Sequence, residues 1–232
     1  MTEIADNLSA LQTRIQKAAY AAGRDLESIQ LLAVSKTFGV EKILACQAAG
    51  QLAFGENYVQ EALLKIQTLQ DPRLQWHFLG PIQSNKTRLI AEHFDWVHSL
   101  EREKIAQRLN EARSPNASPL NICIEVNMSG EASKSGVKPQ DAFALADYIS
   151  RLPRLHLRGL MCIPEPTQDT ALRAQRFSEL RQLQQALIAR GHPLDTLSMG
   201  MSDDLEEAIT EGSTLVRIGR ALFGARPTHP NQ

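Results

Sequence analysis

Lys36 is the side chain of this sequence best suited to nucleophilic chemistry. It directly follows the nearly apolar segment 31–35, which reads LLAVS. An ammonium group held against an apolar surface is destabilised, so its amine is more available as a nucleophile and forms a Schiff base with an aldehyde. The alternative is a solvated lysine at the start of a loop. Lys17, Lys65 and Lys104 fall on helical patterns and are interpreted as solvated.

Two segments near the carboxyl end have the composition of an anion-binding site. They read SMGMSDD over 198–204 and RIGRA over 217–221, and a helical pattern follows each. Ser202 supplies a hydroxyl group, and Gly219 allows the backbone to approach an anion closely. The pair predicts a phosphate site, although Ser202 could also cap a helix and Gly219 could simply turn the chain.

Further polar positions bear on the same site. Arg217 alternates with apolar neighbours, so its guanidinium is expected inside the fold, with the Glu125 carboxylate or a cofactor ring nitrogen as partner. Asn57 offers a donor and an acceptor, and asparagine is also a favoured helix N-cap. Asp203 and Asp204 suit the start of a helix but would repel a phosphate, so we expect them to point away from it.

These residues follow short apolar or β-branched runs that alternate with longer helical patterns. Eight runs are predicted as strands, at 29–36, 52–56, 75–80, 95–100, 120–127, 155–163, 196–200 and 214–219. Eight strands that each precede a helix predict an α/β fold, a single-domain TIM (β/α)8 barrel over 1–232. The alternative is an open doubly wound sheet, but no G-x-G-x-x-G follows the first run.

A barrel collects the residues that follow its strands at one mouth, which is where the polar positions above stand. An extra N-terminal helix is also predicted, from apolar residues at helical spacing, which are Ile4, Leu8, Leu11 and Ile15.

Composition and charge exclude several classes of function. The 25 Lys and Arg against 26 Asp and Glu give a formal net charge of −1, which offers no argument for a nucleic-acid or membrane partner. The three cysteines form no C-x-x-C pair, and no signal peptide or membrane span is evident, so a cytoplasmic protein is expected. The six histidines show no metal-ligand spacing, and His77 is expected as a satisfied core histidine inside a strand.

A Schiff-base lysine, a phosphate site and an arginine near a ring nitrogen together suggest pyridoxal phosphate as the ligand. The sequence closely resembles the pyridoxal phosphate homeostasis protein family of single-domain barrels. The motifs that carry this resemblance are AVSK (33–36), FGENYVQE (54–61), WHFLGPIQSNK (76–86), SKSG (133–136), GLMCIP (159–164), SMGMSDD (198–204) and VRIGRALFGAR (216–226). They cover nearly the whole chain. Together they are specific for this family, although no single motif would be specific by itself.

The resemblance implies a barrel similar to the N-terminal domain of alanine racemase, with Lys36 in a Schiff base with the cofactor. It also implies cofactor-binding roles for seven further residues, namely Asn57 and Met161 beside the ring, Arg217 facing the pyridine nitrogen, and Ser198, Ser202, Gly219 and Arg220 on the phosphate-binding segments. Arg220 stands where the family commonly has a small hydroxyl residue, so only its backbone contact is expected. Lys134, in SKSG, is a second and weaker candidate to accept or relay the cofactor.

The same residues favour a cofactor binder over an efficient enzyme. An arginine opposite the ring nitrogen accepts no proton, so the cofactor is a weaker electron sink. Racemisation on a related barrel needs a second acid–base group from a separate domain, for which 232 residues leave no room. We expect a monomeric binder that takes part in intracellular vitamin B6 homeostasis, with apo-enzymes as recipients. A weak amino-acid racemase and a cofactor-free Schiff-base aldolase are the alternatives.

Overall fold

Eight parallel strands close into a barrel in the computed structural model, which describes residues 3–131 and 134–225. Each strand pairs with its neighbours in the sequence, and β1 pairs with β8 to close the barrel. The strands are β1 Gln30–Val34, β2 Ala53–Glu56, β3 Gln75–Phe78, β4 Trp96–Leu100, β5 Leu120–Glu125, β6 Leu155–Met161, β7 Thr196–Ser198 and β8 Leu215–Ile218. The predicted TIM barrel is confirmed.

A helix follows each strand, and one more precedes the barrel. The helices are α1 Glu3–Ala21, α2 Val40–Ala48, α3 Val59–Leu69, α4 Thr87–His93, α5 Glu103–Ala112, α6 Ala142–Ile149, α7 Thr170–Ala189, α8 Leu205–Thr210 and α9 Arg220–Phe223. The buried side chains of α1 include Ile4, Leu8, Leu11 and Ile15, which share one face because they are three or four residues apart. With this face α1 packs on α8 and α9, as expected for the extra N-terminal helix.

The main hydrophobic core lies between the strands and the surrounding helices. In β3, Trp76 and Phe78 belong to this core, whereas His77 between them points to the barrel interior because successive strand residues face opposite sides. Gly159 lets β6 and β7 approach closely, since a Cβ atom there would lie 1.7 Å from the Thr196 carbonyl oxygen. Strands covered on both faces account for the nearly continuous apolar runs in the sequence.

The carboxyl ends of the strands are shorter than the sequence predicts. Six of the eight strands end one or two residues early, because the backbone leaves the sheet there to form the barrel mouth. Gly50 and Gly191 have φ values of 95° and 96° just after α2 and α7, a left-handed conformation with which glycine commonly ends a helix. Ser133 of the SKSG motif and Arg226 of the last motif lie outside the described residues.

The described residues also bear on the remaining predictions from composition. All three cysteines are buried and free. Within 3–131 and 134–225, no helix is both long and apolar enough to cross a membrane. The same part of the chain has no group of three or more His, Cys, Asp or Glu side chains placed to hold a metal ion.

Candidate functional site

A cavity of about 160 Å³ opens at the carboxyl ends of the strands. It lies between the ends of β1, β2, β3, β6 and β8 and the loops after β7 and β8. Seven of the residues that the sequence predicts for the site line it, namely Lys36, Asn57, Met161, Ser202, Arg217, Gly219 and Arg220. The eighth, Ser198, is fully buried and does not line the cavity.

Lys36 stands in a tight turn directly after β1. The Phe38 backbone N–H donates to the Ser35 carbonyl oxygen at 3.1 Å and closes the turn around Lys36. Thr37 has a φ of 69°, a left-handed conformation that residues other than glycine seldom adopt. Its backbone N–H donates to the Glu61 carboxylate at 2.6 Å. These contacts fix the backbone that carries the half-buried Lys36 side chain at the cavity wall.

A buried charge cluster of Lys65, Glu56 and Glu61 lies behind this turn. Lys65 Nζ donates to the Ser35 carbonyl oxygen at 2.9 Å, to Glu56 at 2.7 Å and to Glu61 at 2.6 Å. The Ser35 hydroxyl donates to the same Glu56 oxygen at 2.6 Å. Burial raises the pKa of Glu56, although Lys65 and Ser35 act in the opposite direction. The interpretation of Lys65 as solvated is wrong, because its side chain is only 5% exposed.

Arg217 reaches the cavity from the barrel interior. Its Nη1 donates to the carbonyl oxygen of Ser198 and, at 2.9 Å, to the Ser198 hydroxyl oxygen. Its Nη2 donates to the Cys162 carbonyl oxygen at 2.8 Å. Glu125, the carboxylate considered as its partner, makes no hydrogen bond to it in the described structure. Burial and the nearby Glu101 raise the pKa of Glu125 to about 7.

Arg217 begins a row of buried polar side chains, which we call the interior polar network and which continues through Ser198 and His98 to His77. The Ser198 hydroxyl lies 2.8 Å from His98 Nδ1, and His98 Nε2 lies 2.9 Å from His77 Nδ1. Burial lowers the pKa of both imidazoles, to about 3 for His77, so both are neutral at pH 7.

One arrangement of hydrogens pairs every contact in this network. In it Arg217 donates to Ser198, Ser198 donates its proton to His98 Nδ1, and His98 carries its hydrogen on Nε2 and donates to His77. His77 in turn carries its hydrogen on Nε2, a buried atom without a hydrogen-bond partner among the described residues. His77 is therefore a core histidine, as predicted, but only one of its two nitrogens is satisfied.

The loops after β7 and β8 meet at the opposite side of the cavity. The Ala221 backbone N–H lies 3.4 Å from the Ser202 hydroxyl oxygen, so Ser202 faces the second loop and does not cap α8, whose N-cap is Asp204. Asp204 is buried and accepts from the Met201 N–H at 2.6 Å, away from the cavity as expected. The same expectation is wrong for Asp203, which lines the cavity and pairs with Arg220 at 3.1 Å.

Asn57 and Met161 complete the wall beside Lys36. The N-cap of α3 is Tyr58 and no side chain caps that helix, so the alternative of Asn57 as a cap is wrong. Asn57 Oδ1 is buried without a hydrogen-bond partner in the described part of the chain, which leaves an acceptor for a donor at this wall. Met161 is buried and apolar at the end of β6.

The sequence analysis missed several lining residues and included a second lysine that lies elsewhere. The missed residues are Val34, Phe38, Leu79, Ile163, Met201, Asp203 and Gly224. Their positions after strand ends were the available signal, but most are apolar and carry no chemistry of their own. Lys134 does not line the cavity; its Nζ is buried and lies 3.6 Å from the Glu131 carboxylate.

The chain matches the family of the alanine racemase N-terminal domain over residues 7–227. It is 58% identical to the pyridoxal phosphate homeostasis protein of Pseudomonas aeruginosa over 226 residues, which is 97% of each chain. It is 50% identical to the protein of the same name from Escherichia coli K12, over 97% of this chain and 98% of that one.

Solved structures agree with this relationship. PipY of Synechococcus elongatus, solved with pyridoxal phosphate bound, superposes with a TM-score of 0.84 at 36% identity, over 96% of this chain and all of PipY. Alanine racemase of Clostridium difficile superposes with a TM-score of 0.75 at 15% identity, over 96% of this chain and 58% of the racemase, which shows a shared fold. The chain belongs to the pyridoxal phosphate homeostasis protein family.

Proposed function

We propose that this protein binds pyridoxal phosphate on Lys36, holds it reversibly and delivers it to apo-enzymes, as part of intracellular vitamin B6 homeostasis. The observation that carries the proposal is one cavity that brings together a lysine amine, two loops suited to a phosphate and a buried arginine. The bound pyridoxal phosphate in PipY and the names of the close relatives support it. We also propose that it acts as a monomer in the cytoplasm.

The residues present fit the cofactor. Bound pyridoxal phosphate supplies an aldehyde that condenses with a lysine amine, together with a phosphate and a ring nitrogen. Lys36 provides the amine. The Ser202 hydroxyl and the backbone of Gly219 and Arg220 would hold the phosphate, and the unpartnered Asn57 oxygen accepts from a donor beside the ring. A Cβ atom on residue 219 would lie 3.2 Å from the Val34 carbonyl oxygen, so glycine leaves room there.

Arg217 would set the protonation state of a ring nitrogen that faces it. Three hydrogen bonds to Ser198 and Cys162 use part of its five N–H groups, which leaves donors for a ring nitrogen. A guanidinium cannot accept a proton, so it holds a facing nitrogen in its unprotonated form. That form withdraws electrons from a substrate carbanion less strongly, which weakens carbanion stabilisation but is still compatible with racemisation.

The described lining also lacks a second proton carrier for a racemase. Its ionisable residues are Lys36, Asp203, Arg217 and Arg220, and it includes no tyrosine, histidine, cysteine or glutamate. Asp203 is largely exposed and paired with Arg220, on the side of the phosphate loops. We therefore favour a binder over the alternative of a weak amino-acid racemase.

The central test is covalent capture of pyridoxal phosphate. Wild-type protein should develop a visible absorbance band, and borohydride should fix the cofactor on the peptide that contains Lys36. Lys36→Ala should lose both, whereas Lys104→Ala, an exposed lysine on α5, should lose neither. An unchanged band and cofactor content in Lys36→Ala would refute the assignment.

A second pair of measurements distinguishes a carrier from an enzyme. Transfer of bound cofactor to an apo-enzyme should restore the activity of that enzyme. The rate of recovery is compared with the rate that free cofactor gives. Deuterium uptake at the α-carbon across a panel of amino acids should stay far below about one turnover per second. Exchange at that rate or faster would favour the racemase alternative.

A further inference from the structure

We infer that α1 is a strap that holds the two phosphate-side loops together, and that Arg14 and Asn7 are positioning residues for the phosphate of the cofactor. This inference rests on the proposed function. Arg14 Nη1 donates to the Ser202 carbonyl oxygen at 2.8 Å, in the loop after β7. Asn7 Nδ2 donates to the Leu222 carbonyl oxygen at 3.1 Å, in the helix that follows β8.

The two bonds reach the loop after β7 and the helix α9 after β8, and they come from a helix that is not part of the eight strand–helix units. The apolar face of α1 already fastens the helix to α8 and α9, so Asn7 and Arg14 are not needed to bury it. Both side chains end on main-chain carbonyl groups, one of Ser202 in the cavity wall and one of Leu222, two residues from the wall residues Arg220 and Gly224. Arg14 contacts the carbonyl of Ser202, whose hydroxyl faces the Ala221 N–H of the other loop. The orientation of the Ser202 peptide is thus fixed from outside the barrel.

Arg14 has a second effect through charge. Its guanidinium also donates to both carboxylate oxygens of Glu206 at 2.5 Å, and Asp203 and Glu207 are further carboxylates that raise its pKa. These acidic side chains lie at the start of α8, beside the loop that would receive a phosphate. Without Arg14 the repulsion between Glu206 and an anion on this loop would be larger.

The strap acts on the phosphate and not on Lys36, which gives a specific test. Arg14→Met should speed the dissociation of pyridoxal phosphate by about three- to tenfold, the effect of one partly exposed charged hydrogen bond. Binding of pyridoxal, which has the aldehyde but no phosphate, should stay within a factor of two of wild type. Arg14→Lys, which keeps the charge and one donor, should recover part of the loss.

Arg24 provides the matched control. Like Arg14, it ties the amino-terminal segment to main-chain carbonyls, those of Ile209 at 2.9 Å and Ser213 at 2.6 Å, but at the other end of α8. Arg24→Met should therefore lower the unfolding temperature without a selective loss of pyridoxal phosphate. If Arg14→Met does not fold, Asn7→Ala tests the second arm of the strap by the same two ligands.

The outcomes separate the inference from the proposed function. Faster loss of pyridoxal phosphate with unchanged pyridoxal binding in Arg14→Met, and not in Arg24→Met, supports the strap. Unchanged dissociation, equal weakening of both ligands, or the same selectivity in Arg24→Met overturns it. Failure of the wild-type protein to take up pyridoxal phosphate on Lys36 would instead overturn the proposed function.

Discussion

Replacing Lys65 by methionine should destabilise the protein far more than replacement of any exposed lysine. In the folded state its ammonium group donates three hydrogen bonds, to the Ser35 carbonyl oxygen and to the Glu56 and Glu61 carboxylates. Methionine fills a similar volume but provides no donor. The Glu56 side chain, which has no solvent exposure, then keeps only the Ser35 hydroxyl as a donor.

The expected loss of stability follows from the burial of Lys65 and Glu56. The side chains of Lys65 and Glu56 are 5% and 0% exposed, and removal of one partner from such a buried pair costs about 3–5 kcal/mol. The pair with Glu61, which is 29% exposed, adds little. Domains of this kind have about 5–15 kcal/mol of stability, so the variant should fold with a much smaller margin.

The loss should also depend on pH. Burial already raises the pKa of Glu56 in the wild type, and removal of Lys65 takes away the largest opposing influence, so the pKa rises further. An acid whose pKa is raised by folding favours the folded state below its ordinary value of 4.5 and loses that contribution as the pH rises. The stability difference between wild type and Lys65→Met should therefore be larger at pH 8 than at pH 5.

Urea unfolding followed by tryptophan fluorescence measures these differences in the absence of cofactor. Lys104→Met, on the exposed face of α5, should change stability by less than about 0.5 kcal/mol. Lys65→Met with Glu56→Gln should recover more than half of the loss, because the fully buried carboxylate is no longer left without its cation. A loss below about 1 kcal/mol in Lys65→Met, or a difference that shrinks as the pH rises, would refute the reasoning.

Three further predictions use other parts of the barrel. Gly159→Ala should lower the free energy of unfolding by about 3 kcal/mol or more in urea, since its Cβ would lie 1.7 Å from a main-chain oxygen. A loss under about 1 kcal/mol would contradict the close approach of β6 and β7. Nitrogen-15 spectra should show His77 and His98 neutral, with hydrogen on Nε2, from pH 8 to pH 5, and titration of either ring in that range would contradict the network. Burial raises the pKa of all three cysteine thiols to about 12, so a thiol reagent should label them only after unfolding, and rapid labelling of folded protein would show that burial is incomplete.

The parts of the fold that depend on local pattern were predictable. Alternation of β-branched runs with helical patterns located all eight strands, because strands covered on both faces must be apolar along their length. The rule that a barrel collects strand-end residues at one mouth then placed Lys36 and Arg217 in one site. This inference needs only the order of elements, which a sequence carries directly.

The contacts between distant segments were not predictable in the same way. Ser198 is the first residue of the motif SMGMSDD, yet it does not line the cavity, because it is the last residue of β7 and its hydroxyl accepts from Arg217. Lys65 has the spacing of a surface helix residue, and only the position of β2 behind α3 makes it buried. Such cases depend on which elements become neighbours, and a single sequence does not show that.

The interior polar network shows why the interior of this barrel contains polar side chains where apolar side chains could also fill the space. Arg217 is buried and permanently charged, so its donors require acceptors inside the barrel. Ser198 accepts from it, and in the arrangement that also pairs the Ser198 proton, Ser198 donates to His98 and His98 donates to His77. The series ends in one unpartnered N–H on His77, a cost that an apolar filling would avoid. The polar interior is therefore tied to the need for a charged donor at the cavity floor, and replacement of Arg217 by an apolar residue would remove the reason for the other three.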